Sequence, residues 1–374
     1  LYFYLKNRAR LDFLPLFLFI LALLSKPSAA VLPLIIFAIN HFHYQFKLKN
    51  NIKKVLPFAL IALIIAIITY FSQANSVIFS QHLSPVWQRP FAWLDSIIFY
   101  LAKIIYPNLS ISYTLAPKFI ATKFWFYPLA ILPLGLGFWL WLKRKTQPLL
   151  ALSSVLFVAG FFTTSGFIGF IFQRYSLVAD RYLYFAMLGF ALFIAVIFSK
   201  ISNKIWQLVM IFALLIFAGI SAFRQIPIWQ NPLKLWSHAV HYEIQPQYAY
   251  ANLGGYFNEK GTKFYQNGKF QKSIIYFDKA LKLYPKYSLE KLSGTKYNKG
   301  LSLLALKNPQ KALDNFTQAL GFNPKNANAN NIKIHILTKS KQCQKAQAAL
   351  VLAKNNNVEI RPEVLKNIKQ CVKK

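Results

Sequence analysis

Between Leu11 and Phe223 the chain is a succession of long apolar runs, and this feature constrains its fold more than any other. A helix closes its own backbone hydrogen bonds, so it can cross hydrocarbon that offers none. The runs read as membrane helices over Leu11–Leu24, Ala29–Phe42, Val55–Gln73, Phe124–Leu142, Leu149–Ile171, Leu183–Ser199 and Ile205–Phe223. A full crossing takes about 20 residues. The first two runs are shorter and are expected to be tilted, extended by their flanks or partly buried in protein. The 56% hydrophobic content, with 35 Phe and 20 Tyr, is too apolar for one soluble domain and supports the membrane class.

Orientation follows from Lys and Arg in the short loops. They cluster at Lys6/Arg8/Arg10, Lys47/Lys49/Lys53/Lys54, Lys143/Arg144/Lys145 and Lys200/Lys204, which marks that side as cytoplasmic. The spans then alternate without conflict. The Ser25–Ala29 turn, the Ala74–Lys123 segment, the Gln173–Tyr182 loop and everything after Phe223 fall outside. Inside the long outer segment, Phe91–Tyr106 is apolar but interrupted by Asp95 and Lys103 and stopped by Pro107. Counting it as a span would break the alternation, so it reads as an outer-surface or re-entrant helix. The chain starts at Leu1 with no signal-peptide pattern, and the expectation is a fragment preceded by further sequence. With 44 basic and 10 acidic residues the net charge is +34. In a multi-span protein this favours membrane lipid or an anionic lipid-linked substrate as partner, and no nucleic acid.

After Phe223 the character changes. A connector over 224–245 carries Trp229 and Trp236, and a repeat follows over 246–374. Pro246, Pro285 and Pro324 stand 39 residues apart. Counting each proline as position 32, Gly261 and Gly300 fall at position 8, Ser273 and Ala312 at 20, Phe277 and Phe316 at 24, and Ala280 and Ala319 at 27. Gly268 occupies position 15. This is the tetratricopeptide (TPR) pattern: small residues let paired helices approach, Phe fills the gap, and Pro closes the second helix. The usual period is about 34, so the extra residues belong in the first helix or the preceding turn. A degenerate third unit, with Ala346, Leu350 and Ala353, is expected to act as a polar cap. The expected architecture is therefore all-α: a polytopic transmembrane bundle over 1–223, then a soluble TPR α-solenoid binding protein or peptide. Cys343 and Cys371 are the only cysteines. On the outer, oxidising side they are free to pair; the alternative is two thiols in separate helices.

The charges that interrupt the apolar sequence are the candidate site. Arg174, Asp180 and Arg181 fall together between two spans, and Asp180 is the only acidic residue between Asp95 and Glu243. Ionisable groups within membrane segments default to a functional reading. Asp180 reads as an N-cap of the following helix or as a partner that orients an Arg. Arg174 and Arg181 read as interfacial anchors or as a fork for a lipid-linked phosphate. Lys26, in the other short outer turn, is a snorkelling lysine or a second phosphate contact. Asp95 is expected to face water or pair with a lysine rather than act in catalysis. No cluster has metal-ligand spacing and no glycine-rich nucleotide loop is present, so neither metal nor cofactor is expected.

Several segments together resemble the transmembrane-and-TPR O-mannosyltransferase-like proteins and their bacterial relatives, of the GT-C membrane superfamily. They are LLSKPSAAVLPLIIFAIN (23–40), KVLPFALIALI (54–64), YPNLSISY (106–113), ADRYLYFAMLGF (179–190) and IWQNPLKLWSHAV with ANLG (228–254). Ser28 stands where that family often has Met, and Asn40 where it often has Asp. The resemblance implies a GT-C-like fold and a glycosyltransferase taking a sugar from a polyprenyl-phosphate carrier on the outer face, in the bacterial inner membrane or the endoplasmic reticulum. It implies an extracytoplasmic acceptor, a protein, and a catalytic acid in a first outer loop that nothing here matches. On that reading Lys26, Arg174, Asp180 and Arg181 line the cavity for the lipid phosphate, and the lipid-linked sugar is the donor. Two alternatives remain open: a non-enzymatic membrane-anchored TPR scaffold, and a polymerase or ligase of lipid-linked glycans.

Overall fold

The computed structural model describes residues 1–6, 13–74, 85–107, 122–164, 166, 176–242, 246–286 and 288–372. Among them the regular structure is entirely helical, with no strand. The chain divides into two compact units, Leu1–Ile226 with Tyr242–Gln245, and Pro227–His241 with Pro246–Lys374.

The first unit runs α1 (Tyr2–Lys6), α2 (Phe13–Ser25), α3 (Leu32–Ala38), α4 (Leu48–Ala74), α5 (Arg89–Ile105), α6 (Phe126–Leu129), α7 (Ile131–Lys143), α8 (Pro148–Phe162), α9 (Leu183–Phe198) and α10 (Lys204–Trp229). Among the described residues four helical stretches are long and apolar enough to cross a membrane: Leu48–Thr69, Phe126–Lys143, Asp180–Phe198 and Lys204–Trp229. The other three expected spans correspond to shorter apolar helices, Phe13–Ser25, Pro27–His43 and Pro148–Phe162. Pro27 separates the first two of these, because the residue before a proline is pushed out of the helical region; Lys26 is extended at φ −151°. The 13 residues of α2 reach only about 20 Å at 1.5 Å per residue. The expected span Leu149–Ile171 passes beyond Phe162 into residues outside those described.

Two apolar clusters organise this unit. One joins α2, α3 and α4 through Phe19, Leu23, Ile36 and Phe58. At its edge Asn40, fully buried in a π turn over Ile39–His43, donates to the Tyr4 hydroxyl (2.7 Å) and to Asn51 Oδ1 (3.0 Å). Asn51 Nδ2 donates in turn to Phe37 O (3.0 Å). The Asn40 amide nitrogen is satisfied internally, though its Oδ1 has no partner among the described residues, and the network ties α1, α3 and α4 together. The second cluster joins α5, α6, α8 and α9 through Tyr100, Phe126, Phe161 and Ala186, together with Val178. Helices α8 and α9 meet without side chains between them: a Cβ on Gly160 would overlap the Ala186 backbone, and one on Gly189 the Phe157 backbone. By contrast, α10 has no buried residue.

In the second unit, α11 (Pro232–Tyr242) precedes three helical hairpins. They are α12 (Gln247–Gln266) with α13 (Phe270–Leu283), α14 (Leu289–Ala305) with α15 (Pro309–Phe322), and α16 (Ala327–Lys339) with α17 (Cys343–Asn355). Helix α18 (Pro362–Val372) closes the stack. The TPR packing logic is visible atom by atom. A Cβ on Gly261 would stand 2.6 Å from Phe277 Cε1, and one on Gly300 2.6 Å from Phe316 Cε1. Ser273, Phe277, Ala280, Ala312, Phe316, Ala319, Ala346 and Ala353 are fully buried. The first helices of the two long repeats have 20 and 17 residues against 13 in α16, which places the extra length where the 39-residue spacing put it. Cys343 and Cys371 form a disulfide, with Cα atoms 5.6 Å apart, linking the head of α17 to the end of α18.

Candidate functional site

The segment leading into α9 is held by α5. Tyr100 and Lys103, one turn apart on the buried face of α5, reach the same place. The Tyr100 hydroxyl donates to Ala179 O (3.4 Å) and accepts from Ala179 N (3.3 Å). Lys103 Nζ lies 3.4 Å from Asp180 Oδ1. Ser176 Oγ donates to Val178 O (2.7 Å), tightening the turn before it. Leu177, Val178 and Ala179 are buried, so both the backbone and the carboxylate are fixed where the chain enters the apolar helix.

Asp180 does not cap its helix, one of the roles expected from the sequence: the short 3-10 turn Asp180–Tyr182 and α9 both begin without a side-chain capping bond. It pairs with a lysine on α5. Lys103 is buried and Asp180 keeps 30% of its side chain exposed, so the pair sits at a boundary between protein and solvent. Asp95, expected to face water or pair with a lysine, is instead 5% exposed and makes no ion pair among the described residues. It lies two helical turns from Lys103 on the same buried face of α5.

Of the remaining predicted residues, Arg181 is exposed. Its guanidinium lies 5.0 Å from the Tyr182 ring, with Nη2 donating to the Tyr182 hydroxyl at 3.3 Å. Lys26 is exposed in the turn between α2 and the Pro27–Val31 3-10 turn, on the first cluster rather than the second, and makes no ion pair with Asp180. Arg174 lies outside the described residues. The structure therefore brings together Lys103 and Asp180, while Arg181, next in the chain, lies against Tyr182. Lys103 is the member that sequence reading missed, although it is one of two charges breaking an otherwise apolar helix. Among the described residues no three His, Cys, Asp or Glu side chains converge to hold a metal ion.

A second polar feature lies in the repeat unit, between α14, α16 and α18. It is a cleft of about 250 Å³ whose lining includes Tyr297, Asn328, Asn331, His335, Arg361 and Glu363. Burial raises the Tyr297 phenol, and the neighbouring Arg361 charge lowers it part of the way back.

Comparison with known families places tetratricopeptide repeats at residues 256–287 and 294–326. No curated protein matches the chain. The repeats make the second unit a platform suited to binding proteins or peptides. The first unit carries helices long and apolar enough to cross a membrane.

Proposed function

We propose that this chain serves an integral-membrane glycosyltransferase, which moves a sugar from a polyprenyl-phosphate carrier to an extracytoplasmic acceptor, a protein, while the TPR unit binds that acceptor or a partner. The observation that carries the reading is the Lys103–Asp180 pair at the head of an apolar helix, with the exposed Arg181 as the next residue in the chain. In such a transfer an acceptor oxygen attacks the anomeric carbon and the carrier phosphate leaves with growing negative charge. Fixed donors aimed at that phosphate lower the barrier. Arg181 offers the planar fork and Lys103 a point charge, while Asp180 positions Lys103. Arg174 and Lys26 remain proposed phosphate contacts. No catalytic base is assigned. The resemblance of residues 23–40 and 179–190 to GT-C sequences supports the same reading. The Cys343–Cys371 disulfide supports an oxidising compartment for the TPR unit, hence the outer side of the membrane.

The test uses protein made from its complete gene, in native membranes, with a short-chain polyprenyl-phosphate sugar at limiting concentration. Lys103→Met and Arg181→Ala are expected to lose most of the transfer while inserting normally. Wild-type transfer in both variants would remove the site. The TPR match itself favours a second reading, a membrane-anchored scaffold. Absence of any transfer by the wild-type protein, with partner binding intact, would select it.

A further inference from the structure

We propose that the cleft between α14, α16 and α18 binds an acidic peptide segment, and that the Cys343–Cys371 bridge keeps the cleft assembled by holding α18 as its outer wall. The proposal rests on the protein-binding part of the preceding reading and not on glycosyl transfer. Loss of transfer with retained peptide binding would fail that reading alone.

The matched repeats end at residue 326, and α16, α17 and α18 all lie beyond them. The cleft is thus built mostly from chain outside the matched repeats. Its polar groups divide into those already used and those still available. Asn331 is used internally: Oδ1 accepts from Arg361 N (2.9 Å), and Nδ2 donates to Ala327 O (2.8 Å) and Glu359 O (3.3 Å). It therefore pins the segment that leads into α18. The Arg361 guanidinium, by contrast, makes one long bond among the described residues, to Asn328 Oδ1 at 3.4 Å. A guanidinium carries five donors, so the exposed Arg361, at the lining of the cleft, keeps most of its capacity open to solvent or a ligand. His335 adds a second polar ring on the same wall.

Charge decides the ligand class. Residues 246–374 hold 23 Lys and Arg against 6 Asp and Glu. One acid, Glu363, lines the cleft, in the first turn of α18. A neutral or basic segment would desolvate Arg361 without giving it a partner, whereas a carboxylate meets it in a charge-assisted fork. Tyr297 and Ile332 supply the apolar floor against which such a segment can lie.

The bridge matters because α18 has little else to hold it. Val364 and Ile368 are its only buried residues. Both Arg361 and Glu363 move with it. Once reduced, α18 depends on Val364 and Ile368, the partly buried Leu365 and the Asn331 bonds.

The test is fluorescence anisotropy with labelled hexaglutamate, using the full chain in uncharged detergent micelles at near-physiological salt. Arg361→Gln is expected to weaken binding roughly tenfold, the range for a hydrogen bond to a charged group. Glu363→Gln is expected to strengthen it. Lys354→Gln removes the same charge from the exposed face of α17, away from the cleft, and should change affinity no more than about twofold. Reductant should weaken binding to the wild type and leave the already weak Cys343→Ser/Cys371→Ser variant unchanged. Equal losses in Arg361→Gln and Lys354→Gln would show diffuse attraction and overturn the site. Unchanged affinity on reduction would overturn the role of the bridge. Both charge variants are compared in oxidised protein, so that comparison stands even if the cysteine variant folds poorly.

Discussion

Two glycines on one helix should respond to the same substitution with opposite sign. Gly294 and Gly300 both lie within α14. An added Cβ at Gly294 meets nothing within 4 Å. Gly294→Ala therefore gains the helix preference of Ala over Gly, about 0.8–1.0 kcal/mol, with nothing to offset it. At Gly300 the same Cβ falls 2.6 Å from Phe316 Cε1, 2.8 Å from Cζ and 3.0 Å from Cδ1. Carbon atoms prefer about 3.5–4.0 Å, so the ring must shift by nearly an ångström. Phe316 is 0% exposed and enclosed by Leu303, Ala312 and Ile336, which leaves it no room. Overpacking of this kind costs about 1–3 kcal/mol. Three ring atoms collide at once, so the upper part of that range applies. Net of the helix gain, Gly300→Ala should destabilise by about 1–2 kcal/mol.

Hydrogen exchange of α14 and α15 amides in the full chain reads both changes. Adding Phe316→Leu should remove most of the Gly300→Ala penalty, a coupling well above the roughly 0.5 kcal/mol scatter of independent sites. If Gly300→Ala protected those amides as well as Gly294→Ala does, or if Phe316→Leu left the penalty intact, the packing account of the repeat would be wrong.

Other outcomes follow from single features. Lys307 and Lys341 take left-handed φ values of 58° and 57°, at the turn position where Gly268 has 70°. Lys307→Gly should therefore raise the stability of its hairpin by roughly 0.5–1 kcal/mol, read by the same exchange measurement. Cys343→Ser/Cys371→Ser opens a loop spanning 28 residues of sequence separation, which chain-entropy reasoning values at about 3.5 kcal/mol; faster exchange confined to α16–α18 is the expected sign. Lys103→Met alone strands the Asp180 carboxylate and should destabilise the first unit by roughly 2–3 kcal/mol, below the usual buried-pair cost because Asp180 is 30% exposed. Lys103→Met/Asp180→Asn removes both charges of the pair and should recover most of that loss in a thermal unfolding assay in detergent. A cysteine at Lys145 should label only from the cytoplasmic side and one at Lys354 only from outside, and the reverse pattern would invert the topology read from the basic loops.

What was legible in the sequence was whatever repeats or excludes water. Fixed spacing gave the helical hairpins, because Gly261 and Phe277 must meet wherever two helices pack that closely. Apolar runs located the long apolar helices, and the two runs read as short correspond to the short helices Phe13–Ser25 and Pro27–His43. Hydropathy does not register where Pro27 ends α2 or where the backbone widens into the π turn over Ile39–His43. The candidate site was half legible. Asp180 and Arg181 stand out as charges in an apolar context, but the partner of Asp180 comes from α5, far away in sequence. Only the fold brings Lys103 there. A signal did exist: Tyr100 and Lys103 are spaced one turn apart on the buried face of a mostly apolar helix, the arrangement by which one helix can grip a single point on a neighbour.

The third hairpin shows what the repeat pattern encodes. It lies beyond the matched residues and carries neither the glycine nor the phenylalanine of its predecessors. At the position of Gly261 and Gly300 stands Ile334, fully buried, and at the position of Phe277 and Phe316 stands Leu350. Both belong to one apolar cluster. A large residue has replaced the small one, and a smaller residue has replaced the large one. The constraint is therefore on the volume the two positions share, since a packed interior tolerates exchange when total volume is kept. A pattern that reads each position separately loses this hairpin, while the helices still pack. The same exchange predicts that Gly300→Ala/Phe316→Leu moves the second hairpin toward the solution the third already uses. Gly300→Ala alone takes half of that step, and the ring of Phe316 blocks it.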